Sequence, residues 1–354
     1  MAKLNEGDVM EGIFCLALAL YIAEGRVDKS KLNKFRKQIE PSRFASGRQE
    51  ISIAEGARRK KGSKPVDEFD VQVDLRLKTA STTGAFGKDW NKVYYSRSRD
   101  IGNIDKKIDQ LIAHLTASAF IRQVNTLTDR FLNNNKRDRA VFVVTADGIE
   151  GEASGGTVKG DVNLSVYALT GGKRVPIKGG TVPFSIKSES VTMASLSPYH
   201  GMLELATKLG VKWDAKDKYA RLAQPFKGPT EQRAKFRLIE AMYSDLQDGI
   251  LEVSGTPKFT AAAIQYLEDN IFGVDQATVV DIRRNTVKEI TPDHFKRLRK
   301  GASLVAERQG PKGRNLVFTN TTNGVPVFHL RTKLRPPPAN EAKFYIEVKD
   351  GAYA

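Results

Sequence analysis

The sequence predicts a mixed α/β (α+β) fold in which a central mixed sheet is flanked by helices. Three observations carry this. Segments of strict two-residue alternation recur, stretches of helical period stand before and after them, and turn-forming glycines separate them. The 354 residues are 40% hydrophobic and 28% charged, which suffices for one large core or two ordinary ones.

Taken in order, Asn5 can cap a helix whose first turn holds Glu6 and Asp8, both favourable at its positive end. The run Ile13 to Ala23 is continuously apolar and predicts a helix buried on all sides, stopped by Gly25. Residues 26 to 65 are rich in Lys and Arg, with a compact basic run at Arg58, Arg59, Lys60 and Lys61. From Val66 to Lys78 the pattern alternates, with Val71, Val73, Leu75 and Leu77 on one face, as in a half-buried strand. Residues 104 to 131 return to helical period through Ile104, Ile108, Leu111 and Leu115. A strand-rich block follows: Ala140 to Thr145, Asp161 to Tyr167 and Val182 to Ser188, with Gly171-Gly172 and Gly179-Gly180 expected as tight turns. Helices are predicted over 201 to 209, 230 to 246 and 260 to 270. Strands and turns such as Asn323-Gly324 then run from Ala277 to Lys349. The expected organisation is a core over 1–250, carrying the N-terminal helix and the basic insertion, and a C-terminal α+β subdomain over 251–354.

Lys and Arg number 57 against 41 Asp and Glu, a formal charge of +16 that favours phosphate backbones as partners. Arg331, Lys333 and Arg335 near the C-terminus join the 58–61 run as expected backbone contacts. The apolar N-terminal run falls short of the roughly 20 residues that span a bilayer, and no basic amphipathic anchor appears, so no membrane is expected. Asp8 and Glu11 oppose a secretory signal, and the expected location is cytoplasmic. The single cysteine, Cys15, excludes an intrachain disulfide framework or thiolate zinc site. GxGxxG, Walker A, HExxH and GxSxG signatures are all missing, and the four histidines, at 114, 200, 294 and 329, are not spaced as a metal pair.

The stretch richest in chemistry is Lys159-Gly160-Asp161 with Pro183-Phe184-Ser185-Ile186-Lys187-Ser188-Glu189. Two neighbouring strands would present Asp161 at the start of one and Lys187 on the other, with Ser185, Lys187 and Glu189 sharing a face. A carboxylate so placed can hold a hard divalent cation, and a lysine can orient a water or offset developing negative charge.

Gly160-Asp161 followed by Ser185-Ile186-Lys187, with a long helix ahead and another after, resembles the restriction-endonuclease-like PD-(D/E)xK nucleases over about residues 104 to 209 plus the N-terminal helix. The resemblance implies a restriction-endonuclease-like core with additional C-terminal strands, and Mg²⁺- (or Mn²⁺-)dependent cleavage of double-stranded DNA. It also allows a homodimer. It makes Asp161 a metal ligand and Lys187 the catalytic lysine. Ser185 stands at the family's acidic position and cannot supply a charged ligand. Glu11, at the mouth of an apolar helix where an unpartnered carboxylate is costly, is one candidate replacement ligand, and Glu189 is the other. Leu4 to Gly12 is similar to uncharacterised tailed-bacteriophage proteins, which would extend the location to host cytoplasm or virion. The alternative function is a nucleic-acid-binding or virion-associated structural protein without catalysis, for which the charge alone suffices.

Overall fold

The computed structural model describes residues 6–38, 49–56, 69–76, 103–117, 139–147, 160–188, 192–213, 215–310, 313–336 and 341–353. The chain is mixed α/β and divides into two compact units. The first comprises residues 1–189 and 273–289, the second residues 190–272 and 290–354. The boundary expected near residue 250 falls inside a continuous helix, Gly228–Val253. The chain instead passes between the units around residues 189, 272 and 289, because a strand from the 273–289 segment completes the first unit's sheet.

The first unit begins with helix α1 (Glu6–Glu24) and α2 (Lys29–Gln38). Gly25 closes α1 in the left-handed region (φ 73°), donating its N–H to Tyr21 O at 2.7 Å. Ile13 through Leu20 are all fully buried, as an all-round apolar sequence requires. Strands β1 (Gln49–Gly56) and β2 (Phe69–Arg76), helix α3 (Ile104–Thr116), and strands β3 (Arg139–Asp147), β4 (Val162–Thr170) and β5 (Lys173–Ser188) follow. Strands β7 (Thr278–Ile282) and β8 (Val287–Ile290) complete a mixed sheet ordered β1-β2-β3-β4-β5-β7-β8. The β2–β3 and β5–β7 pairs are parallel, while β3–β4 and β4–β5 are antiparallel. Helices α1 and α3 cover one face, burying Phe142, Val144, Leu164, Phe184, Ile186 and Val280. Each such side chain contributes about 1.5–3 kcal/mol by leaving water.

Gly171 and Gly172, both at positive φ (57° and 78°), form the two-residue β4–β5 turn that left-handed residues favour. Gly179-Gly180, expected as a turn, lies within β5. Residues 177–180 bulge out of the ladder between the pairs Tyr167↔Pro176 and Ser165↔Thr181. A side chain at Gly180 would meet Ile177 O and Val166 O at 2.8 and 3.0 Å. The helix expected to run to residue 131 ends at Thr116, where Ala117 turns to extended backbone. Helix α2 and strand β1 lie in the region read from sequence only as basic.

The second unit contains β6 (Thr192–Leu196), α4 (His200–Leu209), α5 (Gly228–Val253), α6 (Pro257–Phe272) and α7 (Pro292–Gly301). Strands β9 (Leu304–Gln309), β10 (Asn315–Asn320), β11 (Val325–Arg335) and β12 (Glu341–Val348) join β6 in an antiparallel sheet ordered β6-β12-β11-β10-β9. Phe259 and Tyr243 on the helices pack on Phe318 and Phe344 of this sheet, with ring centroids 6.0 and 5.0 Å apart. Helix α7, not anticipated from sequence, is capped by the Thr291 side chain accepting the His294 N–H. Among the described residues, no helix is long and apolar enough to cross a membrane.

Candidate active site

Asp161 precedes β4 and is joined to β5 through its own N–H, which donates to Phe184 O at 2.8 Å. Its carboxylate reaches further along the same strand. Oδ2 accepts the Ile186 N–H at 2.9 Å, the Ser185 hydroxyl at 3.0 Å and the Lys187 ammonium at 3.2 Å. Where β4 begins, a side-chain oxygen thus takes the acceptor role that a backbone carbonyl plays along the ladder. The side chains of Lys187 and Asp161 are 28% and 26% exposed, open enough for a substrate to approach. Period two explains the convergence: Phe184 and Ile186 turn to the helix-covered core, while Ser185 and Lys187 turn to the other face.

The structure therefore brings Asp161, Ser185 and Lys187 together. Glu11 is half-buried on α1, one turn before Phe14, whose ring packs on Phe184 at 5.4 Å. It stands on the helix that covers the opposite face from Lys187. Glu189 and the run Arg58, Arg59, Lys60 and Lys61 lie outside the described residues. Arg331, Lys333 and Arg335 belong to β11 in the second unit.

Two carboxylates near this site were not singled out from sequence. Asp281 on β7 stands in register with Lys187 on the neighbouring parallel strand. It is fully buried and accepts the Arg283 guanidinium at 2.7 Å. Lys187 thus has a strand carrying an aspartate on either side. The available signal was a lone charge in the otherwise apolar strand Thr278-Val279-Val280-Asp281-Ile282, because a carboxylate is costly there without partners. Asp275 accepts the Gly160 N–H at 2.7 Å, fixing the residue just before Asp161. A Cβ at Gly160 would approach Asp275 Oδ2 and Pro183 Cβ at 2.9 Å each, so this close passage requires glycine. Nothing local in the sequence announces the contact, which joins residues 115 positions apart.

Two further polar contacts support the neighbouring elements. Lys107 of α3, fully buried, donates to the Ser188 hydroxyl at 2.9 Å, beside Lys187 in the chain. His114, which sequence spacing does not pair with another histidine, is 2.8 Å from Glu289 through Nε2. Cys15 is buried, its thiol 3.3 Å from Val144 O. Among the described residues, no group of three or more His, Cys, Asp or Glu is arranged to hold a metal ion.

Chemically, the arrangement offers a half-exposed carboxylate fixed by three donors on one oxygen, with a lysine ammonium alongside. Such a pair can hold a cation and orient a water or phosphate oxygen. Comparison of the chain with protein-family models, curated proteins and solved structures finds no match.

Proposed function

We propose that this chain is a Mg²⁺-dependent DNA endonuclease with Asp161 and Lys187 at its centre. The observation that carries the reading is the convergence of the Ser185 hydroxyl, the Ile186 N–H and the Lys187 ammonium on Asp161 Oδ2. It draws further support from the resemblance of Gly160-Asp161 and Ser185-Ile186-Lys187 to PD-(D/E)xK nucleases.

The donor set is compatible with Mg²⁺, which usually keeps several waters and takes only one or two carboxylates besides substrate phosphates. All three bonds to Asp161 end on Oδ2, which leaves Oδ1 for the cation. When bound, the metal polarises the phosphodiester and lowers the pKa of a water. Lys187 orients that water or offsets the negative charge that develops at phosphorus. Ser185 holds the Asp161 carboxylate in place instead of supplying a ligand of its own. Of the two replacement carboxylates expected from sequence, Glu189 is tested first, because α1 carries Glu11 on the sheet face opposite Lys187. Rescue tests the recruitment: Glu189→Gln abolishes metal binding and cleavage, and adding Ser185→Glu restores part of both. Metal binding and cleavage by Glu189→Gln equal to wild type would pass the role to Glu11.

The second reading, a nucleic-acid-binding or virion-associated protein without catalysis, is favoured by Ser185 itself, since it removes one negative ligand. Incubation of plasmid DNA with the purified protein in Mg²⁺, Mn²⁺ or EDTA separates the two. Nicking or linearisation only with metal supports the nuclease. No cleavage under any metal condition leaves the second reading.

A further inference from the structure

We infer that Arg283 is a substrate-binding residue, and that it holds a phosphate of the duplex backbone beside Asp161 and Lys187. The substrate class rests on the nuclease reading, which Arg283 deepens by supplying the group that grips the substrate.

Strand direction places Arg283 at the right edge of the sheet. β5 and β7 run parallel and stop level with one another, with Ser188 and Ile282 as their last rung. β4 runs the other way and begins at that end, with Asp161 just ahead of its first residue. Open α/β sheets receive ligands at the carboxyl ends of parallel strands, where side chains project past the ladder. Arg283 is the first residue past the last rung. Its N–H donates to Thr286 O at 2.9 Å and closes the turn from β7 into β8.

Period two assigns the face. Val280 and Ile282 join the helix-covered core, so Asp281 takes the face of Lys187, its partner in the register. Arg283 Nε donates to Asp281 Oδ2 at 2.7 Å, which brings the guanidinium back over that same face. Two ion pairs therefore stand side by side across the ends of β4, β5 and β7: Asp161 with Lys187, and Asp281 with Arg283.

Burial distinguishes the second pair from one made only for stability. Asp281 is fully buried, while the Arg283 side chain is 33% exposed. Taking a carboxylate out of water is costly, and apolar residues in place of a buried ion pair are often as stable or more so. What the buried carboxylate does provide is a guanidinium whose direction is set before any ligand arrives, which lowers the ordering cost of binding. The bond to Asp281 engages one of the five guanidinium donors. The planar fork matches two oxygens of a phosphate, a fit that the point charge of an ammonium does not reproduce. Because Asp281 balances its charge, Arg283 acts through the geometry of its donors and not as an uncompensated cation.

The experiment measures binding of the full chain to a short fluorescent duplex in Ca²⁺, a hard cation that also takes carboxylate oxygens. Arg283→Lys keeps a charge beside Asp281, and Asp281→Asn/Arg283→Gln removes both partners together, so neither variant strands a buried charge. Each should lower duplex affinity by about tenfold or more, the effect of losing a charge-assisted contact, while melting close to wild type. Arg284→Gln removes the same charge from the exposed residue next in the turn and should bind as wild type does. In Mg²⁺, Arg283→Lys and the double variant should also cut more slowly by a factor of about 10². Binding by both equal to wild type would overturn the inference. So would an equal loss in Arg284→Gln, which would mark an effect of net charge alone. Wild-type protein that binds the duplex but cuts nothing in Mg²⁺ or Mn²⁺ would remove the nuclease reading, and the binding comparison would still decide whether Arg283 holds phosphate.

Discussion

The two sheets of this protein treat lysine in opposite ways. In the first, Lys187 meets the carboxylate of Asp161 one strand away, and Asp281 stands level with it on the other side. In the second, Lys333 meets Lys343 across the ladder. The first arrangement satisfies charge within the fold and shapes a small chemical centre. The second interleaves both signs along one face, with Glu341 opposite Arg335 and Glu347 opposite His329 on either side of the Lys333–Lys343 pair. A net charge of +16 therefore describes the whole chain poorly, because what each region can do depends on where its counter-charges lie.

The largest expected effect tests whether the first sheet depends on its buried helix. Phe14→Ala should destabilise the chain by about 3–5 kcal/mol, since it empties a fully buried site that contacts Phe184. Chemical denaturation measures this, and a cost below about 1 kcal/mol would mean α1 is not integral to that core.

Next comes Asp161→Ala, which leaves the Ile186 N–H and Lys187 without their acceptor and should cost about 1–3 kcal/mol. If denaturation midpoints do not move, the convergence on Asp161 is not holding the β4–β5 junction.

A gentler effect is expected from acid in the second unit. Burial, then the nearby Lys349, push the His329 pKa down from 6.5 to about 4, with Glu347 opposing and Arg331 adding to the fall. Between those values the unfolded chain binds more protons than the folded one, so stability rises with pH over that window. The His329 contribution is complete above about 6.5 and is lost as pH falls towards about 4. Melting temperatures of wild type and His329→Gln should converge as pH drops through this range. Parallel curves would place the acid sensitivity elsewhere.

The smallest effect is Lys333→Ala, which should leave stability within about 0.5 kcal/mol of wild type, because its side chain is only partly buried. A loss above about 1 kcal/mol would erase the contrast between the sheets.

Much of this was legible in the sequence because it is local. The apolar run Ile13 to Leu20, the alternation through Val71 and Val73, and the Gly171-Gly172 turn each express their structure within a few residues. The meeting of Asp161 with Lys187 was also readable, since two adjacent antiparallel strands joined by a turn place it by period alone. What was not legible is non-local. Asp275 and Asp281 reach the site from a segment that returns to the first unit after more than eighty residues spent in the second. The bulge at Gly179-Gly180 looked like a turn because glycine serves both. The pairing of Lys343 and Tyr345 with β11 is likewise a matter of register that no local pattern announces.

The most direct test of the account's central claim is metal-dependent cleavage by Lys187→Ala beside wild type, on the same plasmid and with duplex binding measured in parallel. The expected result is wild-type cleavage in Mg²⁺ that the substitution lowers by a factor of about 10² or more, with melting temperature and binding unchanged. Cleavage that survives Lys187→Ala at the wild-type rate would contradict it.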